Sequence, residues 1–177
     1  NRWMEVGPPM SKRRLGVWMG GTLGMLGAVL CPALLSATWQ ATAPRDALAP
    51  VAPLVGRWSG TTEGQPGKGT VEREYERVLG SRFIQARNRS TYPPQEKNPK
   101  GEVHEDMGVF SYDSARKRIV LRQFHIEGFI NQYVLDPDSP PGRLVLTSEA
   151  IENIPAGWRA RETLVFSGPD HVEEIFE

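Results

Sequence analysis

The 177 residues are 39% apolar and 24% charged, enough for one ordinary core and too few for two. Basic and acidic residues balance at 21 each, so no global positive field exists to hold nucleic acid or an acidic membrane surface. The single cysteine, Cys31, excludes a disulfide framework and a thiolate zinc site.

Ahead of Met10 stand nine residues, Asn1 to Pro9, that have no place in an export signal. Lys12, Arg13 and Arg14 then form a short basic segment, and Leu15 to Leu35 carries no charge at all. Ala41 and Ala43 follow with the A-x-A spacing that signal peptidase reads, so residues 1–43 are expected to be an N-terminal extension and signal peptide, cut after Ala43. The uncharged run is close to the ~20 residues that span a bilayer, and an uncleaved anchor is the alternative; glycine and proline within it lower its helical quality. Arg13-Arg14 fits a twin-arginine pattern only loosely, and Leu30 before Cys31 does not suit a lipidation site, which wants a small residue there. Removing Arg2, Lys12, Arg13, Arg14 and Glu5 leaves 17 basic and 20 acidic residues, a net charge of −3. A mildly acidic, cysteine-free domain suits an oxidising compartment, and a periplasmic or extracellular location is expected.

Residues 44–53 read as a linker. From Leu54 onward, apolar residues recur with period two, which predicts strands. The runs are Leu54 to Thr62, Thr70 to Leu79, Arg82 to Ser90, Glu102 to Tyr112, Arg118 to Phe124, Phe129 to Leu135, Arg143 to Ile151, Trp158 to Phe166, and His171 to Glu177. Gly, Pro, Asn and Asp clusters separate them, and no stretch after Ala43 reads as an amphipathic helix. The expected fold is all-β, an antiparallel up-and-down barrel of about nine to ten strands over residues 54–177. The polar, proline-rich connection Thr91 to Lys100 is expected to be a surface loop, with a flap over the barrel mouth as the alternative.

Alternation sets Val71, Arg73, Tyr75 and Arg77 on one face of the second run and Glu72, Glu74 and Glu76 on the other, which must be wet. In the third run Phe83, Gln85, Arg87 and Arg89 share a face. Turned inward, these arginines would hold a ligand carboxylate; turned outward, they would pair with the glutamate row across the neighbouring strand. Mixed polar and apolar faces suit a curved sheet around a cavity better than a dry sandwich. The expected ligand-binding set is Arg87, Arg89, Arg122, His125 and Tyr133, around a small apolar or amphipathic molecule.

The opening Gly56-Arg57-Trp58-Ser59-Gly60 resembles the G-x-W-x-G start of calycin barrels, the superfamily of lipocalins and fatty-acid-binding proteins. That resemblance implies structural roles for Gly56, Trp58 and Gly60, with Trp58 packed at the closed end against the strand holding Phe166 or Phe176. His125-Ile126-Glu127-Gly128-Phe129-Ile130 resembles a stretch of nitrobindin-like heme-binding barrels, which implies heme as a cofactor. Two departures stand against it. The glycine-rich run ending in tyrosine-proline that follows the tryptophan there is missing, and the iron ligand of those domains lies near the C-terminal end, where only His171 is available. Such barrels have ten strands, so the resemblance implies a last strand beyond Glu177.

For catalysis the sequence offers little. There is no G-x-S-x-G, no cysteine after Ala43, and no partner for an H-x-E deaminase signature. His125 with Glu127, and His104 with Asp106, each supply two metal ligands without a third at a recognisable spacing. The adjacent carboxylates Glu105-Asp106 and Glu173-Glu174 point to opposite faces and read as surface charge. A carrier or sensor without turnover is therefore the first expectation, ahead of a structural or interaction module with a filled core and of an enzyme or heme-dependent catalyst using the same cavity; none involves nucleic acid, and a membrane enters only through the N-terminal segment.

Overall fold

The computed structural model describes residues 46–177 together with the backbone of Trp3 and Met4; the expected signal segment lies outside the described residues. Strand β1 is Trp3–Met4, and a 3-10 turn spans Ala49–Leu54. Then come β2 (Gly56–Gly64), β3 (Gly67–Val78), β4 (Phe83–Tyr92), β5 (Glu102–Asp113), β6 (Arg118–His125), β7 (Ile130–Leu135), β8 (Arg143–Glu152), β9 (Arg161–Gly168) and β10 (His171–Phe176). All nine expected strands are present. The eighth starts later than its apolar pattern suggested, because Ile154 to Ala160 forms a turn-rich connection.

Each strand from β2 to β10 pairs antiparallel with the next, and together they curl into a half-barrel consistent with a calycin-like fold. Among the described residues no ladder joins β2 to β10 directly. Instead β1 lies between them, parallel to both, and completes the ring at the end where β2 and β10 finish. Below that bridge the seam is open as a recess of about 320 Å³, lined by Trp58, Ser59 and Gly60 on one side and His171 and Val172 on the other.

Residues 49–54, expected to be linker, instead stopper one end of the barrel. Proline at the start of Ala49–Leu54 favours a tight turn there, and Leu48, Val51 and Leu54 are all buried in the core. Trp58 packs at this same end, half-buried against the core, and its indole Nε1 donates to the Leu54 carbonyl oxygen at 2.7 Å. That bond satisfies the donor a buried indole requires. Phe166 lies at this stoppered end, whereas Phe176 lies at the opposite mouth, since β9 and β10 run in opposite directions. Gly56 opens β2 with φ of +133°, a conformation that a side chain would strain, which explains the first glycine of the opening motif.

The connection after β4 is pinned rather than free. The Lys68 N–H donates to Gln95 Oε1 at 2.8 Å and Gln95 Nε2 donates to the Lys68 carbonyl at 2.9 Å, tying this loop to the start of β3. Beside it, Gly69 lets two backbones approach: a Cβ there would lie 2.4 Å from the Thr91 carbonyl oxygen and 2.8 Å from the Tyr92 ring. Gly69→Ala is expected to lower the unfolding free energy by about 1–3 kcal/mol, read from urea denaturation. A variant as stable as the parent would mean the β3–β4 ladder opens there without cost.

Candidate functional site

The inner face of the sheet changes character half-way along the strands. On β4, Ile84 and Ala86 give way to Asn88, Ser90 and Tyr92; on β5, Phe110 gives way to Asp106 and His104; on β6, Ile119 and Leu121 give way to Gln123 and His125. On β7 the step runs from Leu135 and Tyr133 to Asn131, and on β9 from Leu164 to Glu162. Strand alternation keeps each pair of neighbours in these rows on the same side. The half nearest the stopper is filled with side chains. The half nearest the mouth encloses a cavity of about 540 Å³ with polar walls and an apolar rim that includes Tyr92, Phe129, Ile151, Ile154, Trp158 and Phe176.

Arg73 occupies the centre, with its side chain 10% exposed. Its Nη1 donates to Glu174 Oε2 at 2.5 Å and to the Tyr75 hydroxyl at 3.0 Å, and lies 3.6 Å from Glu162 Oε1. Burial alone would lower the Arg73 pKa, but the attraction of Tyr75, Asp106 and Glu162 outweighs it and holds the guanidinium charged. Burial pushes the Glu162 carboxyl up despite the same arginine.

Asp106 sits on the neighbouring wall. Its Oδ2 accepts from Asn88 Nδ2 at 2.8 Å, its Oδ1 accepts from Gln123 Nε2 at 2.9 Å, and His104 Nε2 lies 3.4 Å from Oδ2. Desolvation would raise its pKa, yet His104, Arg73 and Gln123 together hold it well below the usual carboxylate range. The bond to Asp106, helped by Glu127 at 2.8 Å from Nδ1, lifts His104 to about 9 against the desolvation that would lower it. His125 goes the other way: burial lowers it to about 4, so its ring is neutral at physiological pH. The ring stacks on Phe129 at 3.9 Å between centroids, and its Nε2 lies 3.2 Å from Asn131 Nδ2.

Among the described residues, four buried polar atoms on side chains that border this cavity have no hydrogen-bond partner: Gln123 Oε1, His125 Nδ1, Asn131 Oδ1 and Glu162 Oε2. Buried polar atoms are nearly always paired, and each unpaired one costs about 1–3 kcal/mol, so four on residues that border one cavity concentrate unmet polar demand there.

Of the residues expected to bind ligand, His125 lines the cavity and Tyr133 lies buried just beneath it, its hydroxyl accepting from Asn131 Nδ2 at 2.7 Å. Arg87, Arg89 and Arg122 are on the outside. On β4 the inner row is Ile84, Ala86, Asn88, Ser90 and Tyr92, which turns the arginines out to solvent. There Arg87 stands opposite Glu74 and Arg89 opposite Glu72, while Arg89 Nη1 bonds to Glu105 across β5. The inward placement is thus corrected to the cross-strand one. His171 is exposed at the β9–β10 turn, at the end away from the cavity, so the residue expected as a heme ligand does not reach it. Asp106 and Glu174, read as surface charge, point inward with side chains 5% and 12% exposed. Arg87→Met, Arg89→Met and Arg122→Met are each expected to leave ligand affinity within about twofold and stability within about 0.5 kcal/mol. A tenfold loss in any of them, in the displacement assay below, would return that arginine to the site.

Comparison with family models, with curated proteins and with solved structures finds no significant match to this chain, so the reading of its site rests on its own geometry.

Proposed function

We propose that this barrel is a carrier or sensor that holds a small amphipathic molecule in the mouth-side cavity and does not convert it. The observation that carries this reading is the set of four unpaired buried atoms on residues that border a half-polar, half-apolar chamber. A bound molecule with its polar end on the Arg73–Asp106–Glu162 floor and its apolar part against Phe129, Ile151 and Trp158 would satisfy both.

Charge sets the kind of polar end. Six carboxylates border the chamber, Glu102, Asp106, Glu127, Glu162, Glu174 and Glu177, against the cations Arg73, His104 and Arg159. Oxygens among the unpaired atoms call for hydrogen-bond donors. A cationic or donor-rich head therefore fits better than the acidic end that arginines on the inner face would have favoured. The test is Nile red bound to the full chain in the presence of EDTA, displaced by a straight-chain primary ammonium amphiphile or by the carboxylate of equal length. The ammonium is expected to displace the dye at a concentration at least about tenfold lower, about 1.4 kcal/mol of preference. Failure of Nile red to bind, or equal displacement by the carboxylate, would overturn the reading.

With residues 10–43 read as an export signal, the barrel would work in the periplasm or outside the cell. N-terminal sequencing of exported protein is expected to start near Pro44; a start at Asn1 or Met10 would remove that part of the proposal.

A further inference from the structure

We propose that His104, Asp106 and His125 form a binding site for a divalent transition-metal ion of the zinc type on the cavity wall, with Glu127 holding His104 in its coordinating orientation. This goes beyond the amphiphile reading and does not depend on it. Its origin is the strand register. His104 and Asp106 are two apart on β5 and so share the inward face, and His125 on β6 stands directly across from Asp106. Directly opposed residues have Cβ atoms about 4.5–5.5 Å apart, close enough for three donors to converge.

The donor atoms do converge. One atom from each residue lies within 4.8 Å of the other two. The 3.4 Å between His104 Nε2 and Asp106 Oδ2 is the separation that two ligands take around a tetrahedral ion with bonds of about 2.0–2.1 Å. The rings of His104 and His125 have centroids 5.5 Å apart. No other group of this kind is found among the described residues.

The surroundings are those of a metal site. His104 Nδ1 faces Glu127 Oε1 at 2.8 Å, the carboxylate–histidine arrangement that fixes the ring of a ligating histidine and raises its basicity. Asp106 is held on both oxygens, by Gln123 and by Asn88, so its carboxylate is aimed before any ion arrives. His125 keeps a buried ring nitrogen, Nδ1, without a partner, and Phe129 stacks on the ring from one side. Arg73 is the opposing charge, but Glu162 and Glu174 already neutralise it. Two imidazoles and one carboxylate suit zinc, cobalt or iron(II) and suit calcium or magnesium poorly. Three protein ligands leave a fourth position on the cavity side, open to water or to a donor atom of a small molecule.

The experiment is a zinc titration of the full chain after chelator treatment and desalting, with no organic ligand present, read by competition with a chromophoric chelator. Cobalt(II) serves as a parallel spectroscopic probe. One zinc per chain is expected, with cobalt(II) giving visible bands of a four- or five-coordinate ion. His125→Ala and Asp106→Asn should each weaken zinc by at least about 100-fold, Glu127→Gln by about 10-fold, and His171→Ala not at all. Nitrogen-15 NMR of the histidine rings in the parent chain guards against misfolded variants: zinc should shift His104 and His125 and leave His171 unmoved. No stoichiometric uptake, parental affinity in His125→Ala, or shifts confined to His171 would overturn the proposal. Because the Nile red assay runs in EDTA and this one runs without amphiphile, either reading can fail alone.

Discussion

Replacing Arg73 with methionine is expected to lower the unfolding free energy by about 3–5 kcal/mol, the cost of leaving buried carboxylates without their cation. Methionine keeps much of the apolar stem, so lost packing contributes little. Glu162→Gln should be mild by contrast, within about 1 kcal/mol, because Arg73 keeps its bond to Glu174 and burial already disfavours the charged form of Glu162. The two effects also differ with pH. Without Arg73 the folded-state pKa of Glu162, already pushed up by burial, rises further above its unfolded value, so the penalty belongs to the ionised form. It is full above that raised value and disappears as pH falls below the unfolded carboxylate range. The deficit of Arg73→Met relative to the parent should therefore be larger at pH 7 than at pH 4. An equal deficit at both would mean that lost packing, and not charge, is the cause.

Phe110→Ala is the second large effect, expected to cost about 3–5 kcal/mol. Phe110 is 2% exposed and tilts against Tyr75 with ring centroids 6.5 Å apart, in the filled half of the barrel. It does not line the cavity, so affinity for Nile red should stay within about twofold of the parent once enough protein is folded. Thermal unfolding and dye titration on the same sample give both numbers. If truncating Phe110 weakens the dye as much as it weakens the fold, the two halves of the barrel are mechanically one.

Period-two patterning was enough to locate all nine strands after residue 54, because turn chemistry between them is dense and no helix competes over the same stretches. Facing was harder. Arg73 belongs to the row of Val71, Tyr75 and Arg77, opposite the wet glutamates, and that row alone marks it as an inward arginine. Arg87 and Arg89 looked equally placed because Phe83 and Gln85 share their face. The register to β3 decides it, since Asn88 pairs with Arg73 and both point in. Glu162 was legible in principle from its row with Leu164 and Phe166. Glu174 was not: the charged pair Glu173-Glu174 hides which member is inside until β10 is paired with β9. The His104–Asp106–His125 group escapes any reading by spacing, because the third member comes from the next strand and only the β5–β6 register brings it opposite.

The seam between β2 and β10 carries a dynamic consequence. Elsewhere each strand is fastened to its neighbour by a backbone ladder, whereas among the described residues this seam has β1 at one end and the Arg73–Glu174 contact midway, and cleavage after Ala43 would remove β1. Ladders exchange their amide protons only when several bonds break together; a side-chain clasp releases one contact at a time. Amide exchange should thus be fastest along the facing edges Trp58 to Thr61 and Val172 to Glu174, and slowest in β4 to β7. The seam, held by side chains where the rest of the wall is held by ladders, is then the part of the barrel that opens most often.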